Sequence, residues 1–347
     1  MSDPKRVMSA KPRNAETPTP QLRSWLTPNR AFFERNQGLQ PDPPVDLDTW
    51  RLSVEGEVAQ TLALSFDDLL RMPKETVANT LECSGNSRSL LKTKASGNPW
   101  TIGGVGNAVW GGVRLSRVLE LAGLKDTARD VAFEGLDVPT GKAQIKFVRS
   151  IPLAKALAST LLAYEMNGDP LPPAHGYPLR SLALGWTGAN AVKWLSRITV
   201  LPRPHEGFFM DNVYRIFQKG QASETGRVVT GLPLKSIITR PLHGEKVPAG
   251  EVVILGAAYA GEARIVSVTV STDGGQTWQP TEFIGPDEPY GWRQWQLCWQ
   301  PPGKGEYIIL ARATDADGRQ QPMDADWNVL GYGNNGVHEH GVTVRVV

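Results

Sequence analysis

Apolar residues recur along the chain in two rhythms, and the change falls near residue 230. Before it, short alternating runs predict strands, patterns of three and four predict short helices, and long Gly/Pro loops join them. WRLSVEGEV (residues 50–58) alternates at its start and predicts a strand. Ser65 ahead of Phe66, Asp67 and Asp68 predicts a capped entry to a short helix around Leu69 and Leu70. In VRLSRVLELAG, Leu115, Val118, Leu119 and Ala122 share one helical face, and Gly123 ends it. Pro152 opens a further short helix, with Leu153, Ala156 and Leu157 expected to face inward. IGGVGNAVWGGV (residues 102–113) has neither the ending of a phosphate loop nor Rossmann spacing, and predicts tight turns around Trp110.

After residue 230 helix signals become few. An alternating run, Asp273-Gly274-Gly275 and a second run predict a hairpin. WRQWQLCWQ (residues 292–300) sets Trp295, Leu297 and Trp299 on one strand face, with Gln294, Gln296 and Cys298 on the other. GEYIILARATDADG (residues 305–318) alternates again. Such spacing predicts an immunoglobulin-like β-sandwich. The organisation expected is an extended or mobile arm over residues 1–20, an α+β domain over 21–228 and the sandwich over 229–347.

Composition narrows the function. A formal net charge of +2 gives no sign of a nucleic-acid binder. No apolar run is long enough to span a membrane. The polar, Pro-rich N-terminus does not read as a secretory signal, which implies the cytoplasm, or the periplasm if an export signal has been removed. Two cysteines, Cys83 and Cys298, exclude a disulfide scaffold. Cys298 reads as a small apolar residue of the sandwich.

Cys83 is different. It closes the run ETVANTLEC and enters Ser84-Gly85-Asn86, a strand-to-loop corner that aims a side chain into a cleft. Arg88 nearby favours a thiolate, and a thiolate suits a soft or high-valent metal. One cysteine cannot make a zinc set, so a bound metal needs ligands from outside the chain. Arg35, Asp137, His175, Arg180 and Lys193 each interrupt apolar surroundings. Each alone reads as a snorkelling or satisfied polar group; five in one domain point to a pocket for an anion.

At these residues the chain resembles the sulfite oxidase family of molybdenum enzymes. The segments are FFERN (32–36), LECSGNSRSLL (81–91), VWGGVRL (109–115), FEGLD (133–137), IPLAKAL (151–157), AYEMNGDPLPPAHGYPLR (163–180), ANAVKWLSRI (189–198) and DNVYR (211–215). LPLKSIIT, VSTDGGQTW, WRQWQLCW and ARATDADGRQQP extend the resemblance through the second part, where the family has its dimerisation domain. It implies molybdenum held by the dithiolene of one molybdopterin (a pyranopterin) and by the thiolate of Cys83. Arg35, Asn36, Asp137, His175, Arg180, Ala191, Val192 and Lys193 match positions that hold the pterin and its phosphate. Arg35 and Arg88 match arginines beside substrate and metal, Tyr214 the active-site tyrosine, and Trp100 a pocket-lining tryptophan. The implied reaction is oxidation of sulfite to sulfate, with Tyr214 assisting a proton, in a homodimer. The sequence holds no haem module, so an external acceptor, a cytochrome or oxygen, is expected to take the electrons.

The chain departs from the family at three points. Gln37 stands where the animal and plant enzymes have His, Ser87 leaves the Cys83 loop one arginine short, and Leu330 replaces an arginine that reaches the substrate pocket. His338 and His340 are candidates to restore the lost charge. Two other readings stand beside sulfite oxidation. One is a different oxyanion, or sulfoxide reduction, on the same cofactor; the second part of the chain argues against the sulfoxide enzymes, which usually lack it. The other is a binding protein without turnover, against which Cys83, Arg35 and Tyr214 together argue.

Overall fold

Alternation in the first part yields two five-stranded sheets in a computed structural model that describes residues 4–347. One runs in the order Leu62–Leu64, Leu52–Gly56, Leu195–Leu201, Asp130–Gly135 and Val148–Pro152, antiparallel except where Leu52–Gly56 meets Leu195–Leu201. The other runs Asp169–Pro170, Thr160–Met166, Val105–Arg114 and Glu75–Glu82, with Arg180–Ala183 also paired to Thr160–Met166.

Helices seal the space between them. Leu115–Ala122 buries Leu115, Val118, Leu119 and Ala122, the face its spacing predicts, and Gly123 stops it at φ +67°. Phe66–Leu70 begins with the capping box formed by Ser65 and Asp68. Leu153–Ser159 departs from its expected face: Ala156 is buried, but Leu157 is exposed and Lys155 lies inward. The Lys155 Nζ reaches the Leu184 carbonyl at 2.6 Å and the Glu262 carboxylate at 2.7 Å, so two acceptors draw the lysine in. One core cluster joins Val54, Phe133, Ile198, Val113 and Leu162 to these helices. A second, with Phe32, Trp100, Trp110, Leu161 and Leu182, lies on the other face of the sheet that holds Val105–Arg114 and Thr160–Met166, and includes Cys83. That sheet is buried on both faces.

Two expectations are corrected. The glycine-rich stretch around Trp110 is a ten-residue strand, Val105–Arg114, rather than a set of turns. Its glycines serve close approach: a Cβ on Gly112 would lie 2.1 Å from the Leu162 carbonyl, and one on Gly106 2.6 Å from the Phe32 ring. Nor is the described part of residues 1–20 a mobile arm. Arg6–Ala10 and Arg13–Glu16 form a hairpin, and the buried Asn14, Ala15 and Glu16 lie against the domain through the Ala15–Glu34 backbone pair. The Glu16 carboxylate accepts the Thr101 N–H at 2.9 Å and its hydroxyl at 2.7 Å, which is the anchor that sequence composition conceals.

The second part is a sandwich. Lys235–Arg240, Val252–Tyr259, Arg293–Trp299 and Glu282–Ile284 form one sheet; Lys246–Val247, Val342–Val346, Gly305–Asp315, Ile265–Ser271 and Gln279–Pro280 form the other. Trp295 and Trp299 lie in the core between them with Ile254, Val270 and Val344. Cys298, on the opposite face of its strand, is exposed rather than buried, whereas Gln294 on that same face is covered by the Arg23 backbone, whose carbonyl accepts its Nε2–H at 2.7 Å. Thr19–Arg23 and the residues after it bridge the two parts: Leu22 packs with Leu232, Ile237, Tyr259 and Trp292, and the Trp292 Nε1–H donates to the Trp25 carbonyl at 3.0 Å. Among the described residues no helix is long and apolar enough to cross a membrane.

Candidate functional site

Cys83 follows the last residue of Glu75–Glu82, and its corner is fixed by the backbone. The Cys83 N–H donates to the Gly104 carbonyl, and its own carbonyl accepts the Asn86 N–H, both at 2.8 Å. Ser87 then takes a left-handed φ of +66° and reverses the chain toward Arg88. Burial pushes the Cys83 thiol up, while the guanidiniums of Arg35 and Arg88 pull it down. The side chain lines two adjoining cavities.

The inner cavity is lined by Arg35, Asn36, Asp137, His175, Arg180, Ala191 and Lys193, so seven of the eight sequence-matched pterin positions converge there. Val192 does not: its side chain sits in the main core, and its N–H donates to the Ser181 Oγ at 3.0 Å. Lys193 lies over the Trp194 ring at 4.4 Å; its Nζ donates to the Ala174 carbonyl at 2.8 Å and to the Asn36 Oδ1. Burial, with Arg180 adding to it, lowers its pKa to about 7. Arg180 donates to the His175 carbonyl at 2.9 Å and lies 4.9 Å over the Trp110 ring, yet its Nε–H has no partner. Burial brings it to about 9. The same cause, with Lys193 and Arg180 beside it, holds His175 well below the ordinary histidine range, its Nε2 3.0 Å from the Asn29 carbonyl. Burial raises the Asp137 carboxyl to about 6 against the pull of Lys193. A group of buried basic side chains with a donor left open is an environment that suits an anion.

The outer cavity, about 320 Å³, is bounded by Arg35, Arg88, Trp100, Phe208, Phe209 and Tyr214 among others. Tyr214 has a φ of +59° and stacks on Tyr332 with ring centres 5.5 Å apart. Gln37, which stands where the animal and plant enzymes have histidine, donates its Nε2–H to the Tyr214 hydroxyl at 2.7 Å. Leu330 lines this cavity, and its carbonyl accepts the Arg88 Nε–H at 2.8 Å. Neither histidine candidate replaces the missing charge there. His338 is exposed and pairs with Asp324 at 3.1 Å; His340 is buried behind the Cys83 loop, its Nε2 2.8 Å from the Ser87 Oγ.

Sequence reasoning overlooked Arg149. It is fully buried, donates to the Asn190 Oδ1 at 3.0 Å and to the Phe209 carbonyl, and lies 5.3 Å over the Tyr214 ring. Burial lowers it to about 10. Its signal was present: an arginine at an inward position of the strand Val148–Pro152 needs buried partners.

From the second part of the chain a row of hydrogen bonds reaches the Cys83 loop. The Lys235 Nζ meets the Glu82 carboxylate at 2.5 Å, both side chains buried. Tyr259 OH and Asn86 Nδ2 share the same carboxylate oxygen at 3.0 and 2.9 Å. The Gly333 N–H donates to the Ser84 carbonyl at 2.9 Å and Asn334 Nδ2 to that of Ser87 at 2.8 Å.

Comparison with known proteins places this geometry. Residues 39–209 match the oxidoreductase molybdopterin binding domain, and residues 227–345 the Mo-co oxidoreductase dimerisation domain. Mitochondrial sulfite oxidase of Rattus norvegicus is 41% identical over 99% of this chain, which spans 66% of that relative's length, just under two thirds. Sulfite oxidase of Arabidopsis thaliana is 32% identical over 96% of this chain and 92% of the relative. The crystal structure of the sulfane dehydrogenase SoxCD from Paracoccus pantotrophus superposes with a TM-score of 0.83 at 29% identity, over 98% of this chain and 88% of the other.

Proposed function

This chain belongs to the sulfite oxidase family of molybdopterin oxidoreductases, and from that membership we propose that it oxidises sulfite to sulfate and passes the electrons singly to an external acceptor. One observation carries the proposal: a buried thiol that lines one cavity together with two guanidiniums and also lines the anion-seeking cavity beside it.

The donor set fits the family's cofactor. The unpartnered Arg180 Nε–H and the depressed Lys193 ammonium suit an anionic group in the inner cavity, and Cys83 offers one soft ligand where the described residues hold no cluster of metal-binding side chains. Asn36, Asp137, His175 and Ala191 complete the walls. When bound, the molybdenum–pterin group supplies the two-electron chemistry at sulfur.

The protein's own residues do the rest. Arg35 and Arg88 attract the oxyanion and offset its charge close to Cys83. Tyr214 is held by Tyr332, Arg149 and Gln37, so its hydroxyl can hydrogen-bond the reacting oxygen or move a proton. Arg149 is a positioning residue, since it acts through Tyr214 and Phe209. The matched dimerisation domain supports a homodimer, and a small cytochrome or oxygen is our choice of acceptor.

The test is sulfite-dependent reduction of ferricyanide by protein of known molybdenum content, with Cys83→Ser alongside. Rapid turnover lost in Cys83→Ser, with the fold retained, is the expected result. A molybdenum-loaded protein inert to sulfite, or full activity in Cys83→Ser, would reject the assignment.

A further inference from the structure

The outer cavity is built for an anion with an apolar end. Arg35 and Arg88 both line it, and neither makes an ion pair with a carboxylate among the described residues. Arg88 spends its Nε–H on Leu330 and one terminal nitrogen on the Asn98 carbonyl at 2.7 Å, which leaves the other terminal nitrogen for a ligand. Its apolar wall comes from Phe208, Phe209, Val213, Leu330 and the ring of Tyr332, the last two lying next to Arg88. Phe208 is 44% exposed at a position where a surface residue is ordinarily polar. An inorganic oxyanion gives this wall nothing to cover, because each of its outward atoms is an oxygen that keeps its water.

Resting on the sulfite-oxidising reading of the same site, we propose that the cavity also takes small organosulfinates, R–SO2⁻, and oxidises them to sulfonates. A sulfinate has what the two arginines and Cys83 select in sulfite: negative oxygens beside a sulfur lone pair. It replaces the third oxygen by carbon, which lies against Leu330 and Phe208 instead of a third cation. The step balances as R–SO2⁻ + H2O → R–SO3⁻ + 2 H⁺ + 2 e⁻. An S–O bond forms to the oxygen of water, whose two O–H bonds break, and sulfur loses two electrons. They leave singly to two equivalents of a one-electron acceptor, ferricyanide in the assay. Each buried methylene adds about fourfold to binding, so specificity rises with the length of R until the wall is covered.

The experiment uses the full chain loaded with molybdenum. Ferricyanide reduction is followed with sulfite, methanesulfinate, ethanesulfinate and propanesulfinate, and binding of the sulfonate products is measured separately by tryptophan fluorescence. We expect turnover of the sulfinates, kcat/KM rising about fourfold per methylene, and sulfonate binding that tightens in parallel. Leu330→Arg should lower kcat/KM for propanesulfinate tenfold or more and raise it for sulfite. The sulfonate series in the unmodified protein stands as the independent readout if that variant fails to fold. Turnover of sulfite alone, or binding flat with chain length, overturns the sulfinate proposal and leaves sulfite oxidation standing. Inertness to all four substrates in a loaded protein overturns both.

Discussion

Burial sets the protonation of the ionisable residues around Cys83, and His340 makes that measurable. Its Nδ1 and Nε2 lie 2.7 and 2.8 Å from the Gly336 carbonyl and the Ser87 hydroxyl, and burial lowers its pKa from the ordinary 6.5 to about 3. Between those values the unfolded chain binds a proton that the folded chain refuses, so stability falls as pH drops through that window. Lowering the pH from 7 to 5 should cost about 2 kcal/mol at this site. Thermal melts should show a flatter acid limb in His340→Gln. Charged residues in apolar runs were what made Arg35, His175, Arg180 and Lys193 legible in sequence. Arg149 obeys the same rule but was passed over, and the contact of Gln37 with Tyr214 could not be read, since only the fold brings the two together across 177 residues. Val192 differs from its neighbours in direction: the side chain of a residue between two lining positions on an extended chain points the other way.

At the scale of elements, periodicity and capping gave a faithful reading where local forces rule, as in Leu115–Ala122 and Phe66–Leu70. They failed where a distant partner decides. Lys155 turns inward for Glu262, and the glycines of Val105–Arg114 exist for backbone that passes over them. Gly112→Ala should therefore destabilise by about 1–3 kcal/mol in chemical denaturation, because its Cβ meets the backbone of Leu162 and Ala163. Gly231 has an ordinary φ and open space around it, so Gly231→Ala should be neutral within about 0.5 kcal/mol. Equal effects from the two substitutions would contradict this account. The N-terminal hairpin escaped the sequence reading for the same reason as Lys155: its anchors, Thr101 and Glu34, lie elsewhere in the chain.

For the whole molecule, the second part of the chain is structural support for the Cys83 loop as well as the region that matches a dimerisation domain. Lys235 and Glu82 form a buried ion pair across the junction. Lys235→Met leaves the Glu82 carboxylate buried without its cation, which should cost about 3–5 kcal/mol. The double variant Lys235→Met with Glu82→Gln should recover much of that loss. A single mutant as stable as the parent in urea would show the pair to be dispensable. No sequence pattern announced this pair, since Lys235 reads as one lysine in an alternating strand.

These cross-chain bonds also have a bearing on how the protein is made. Ribosomes deliver the chain from its N-terminus, so Ser87 emerges 253 residues ahead of His340, the side chain that caps its hydroxyl. Asn334 and Gly333 are nearly as late. The cysteine corner waits through most of translation for the contacts that fix its shape, which makes cofactor loading a task for the finished polypeptide and for whatever guards a half-made one.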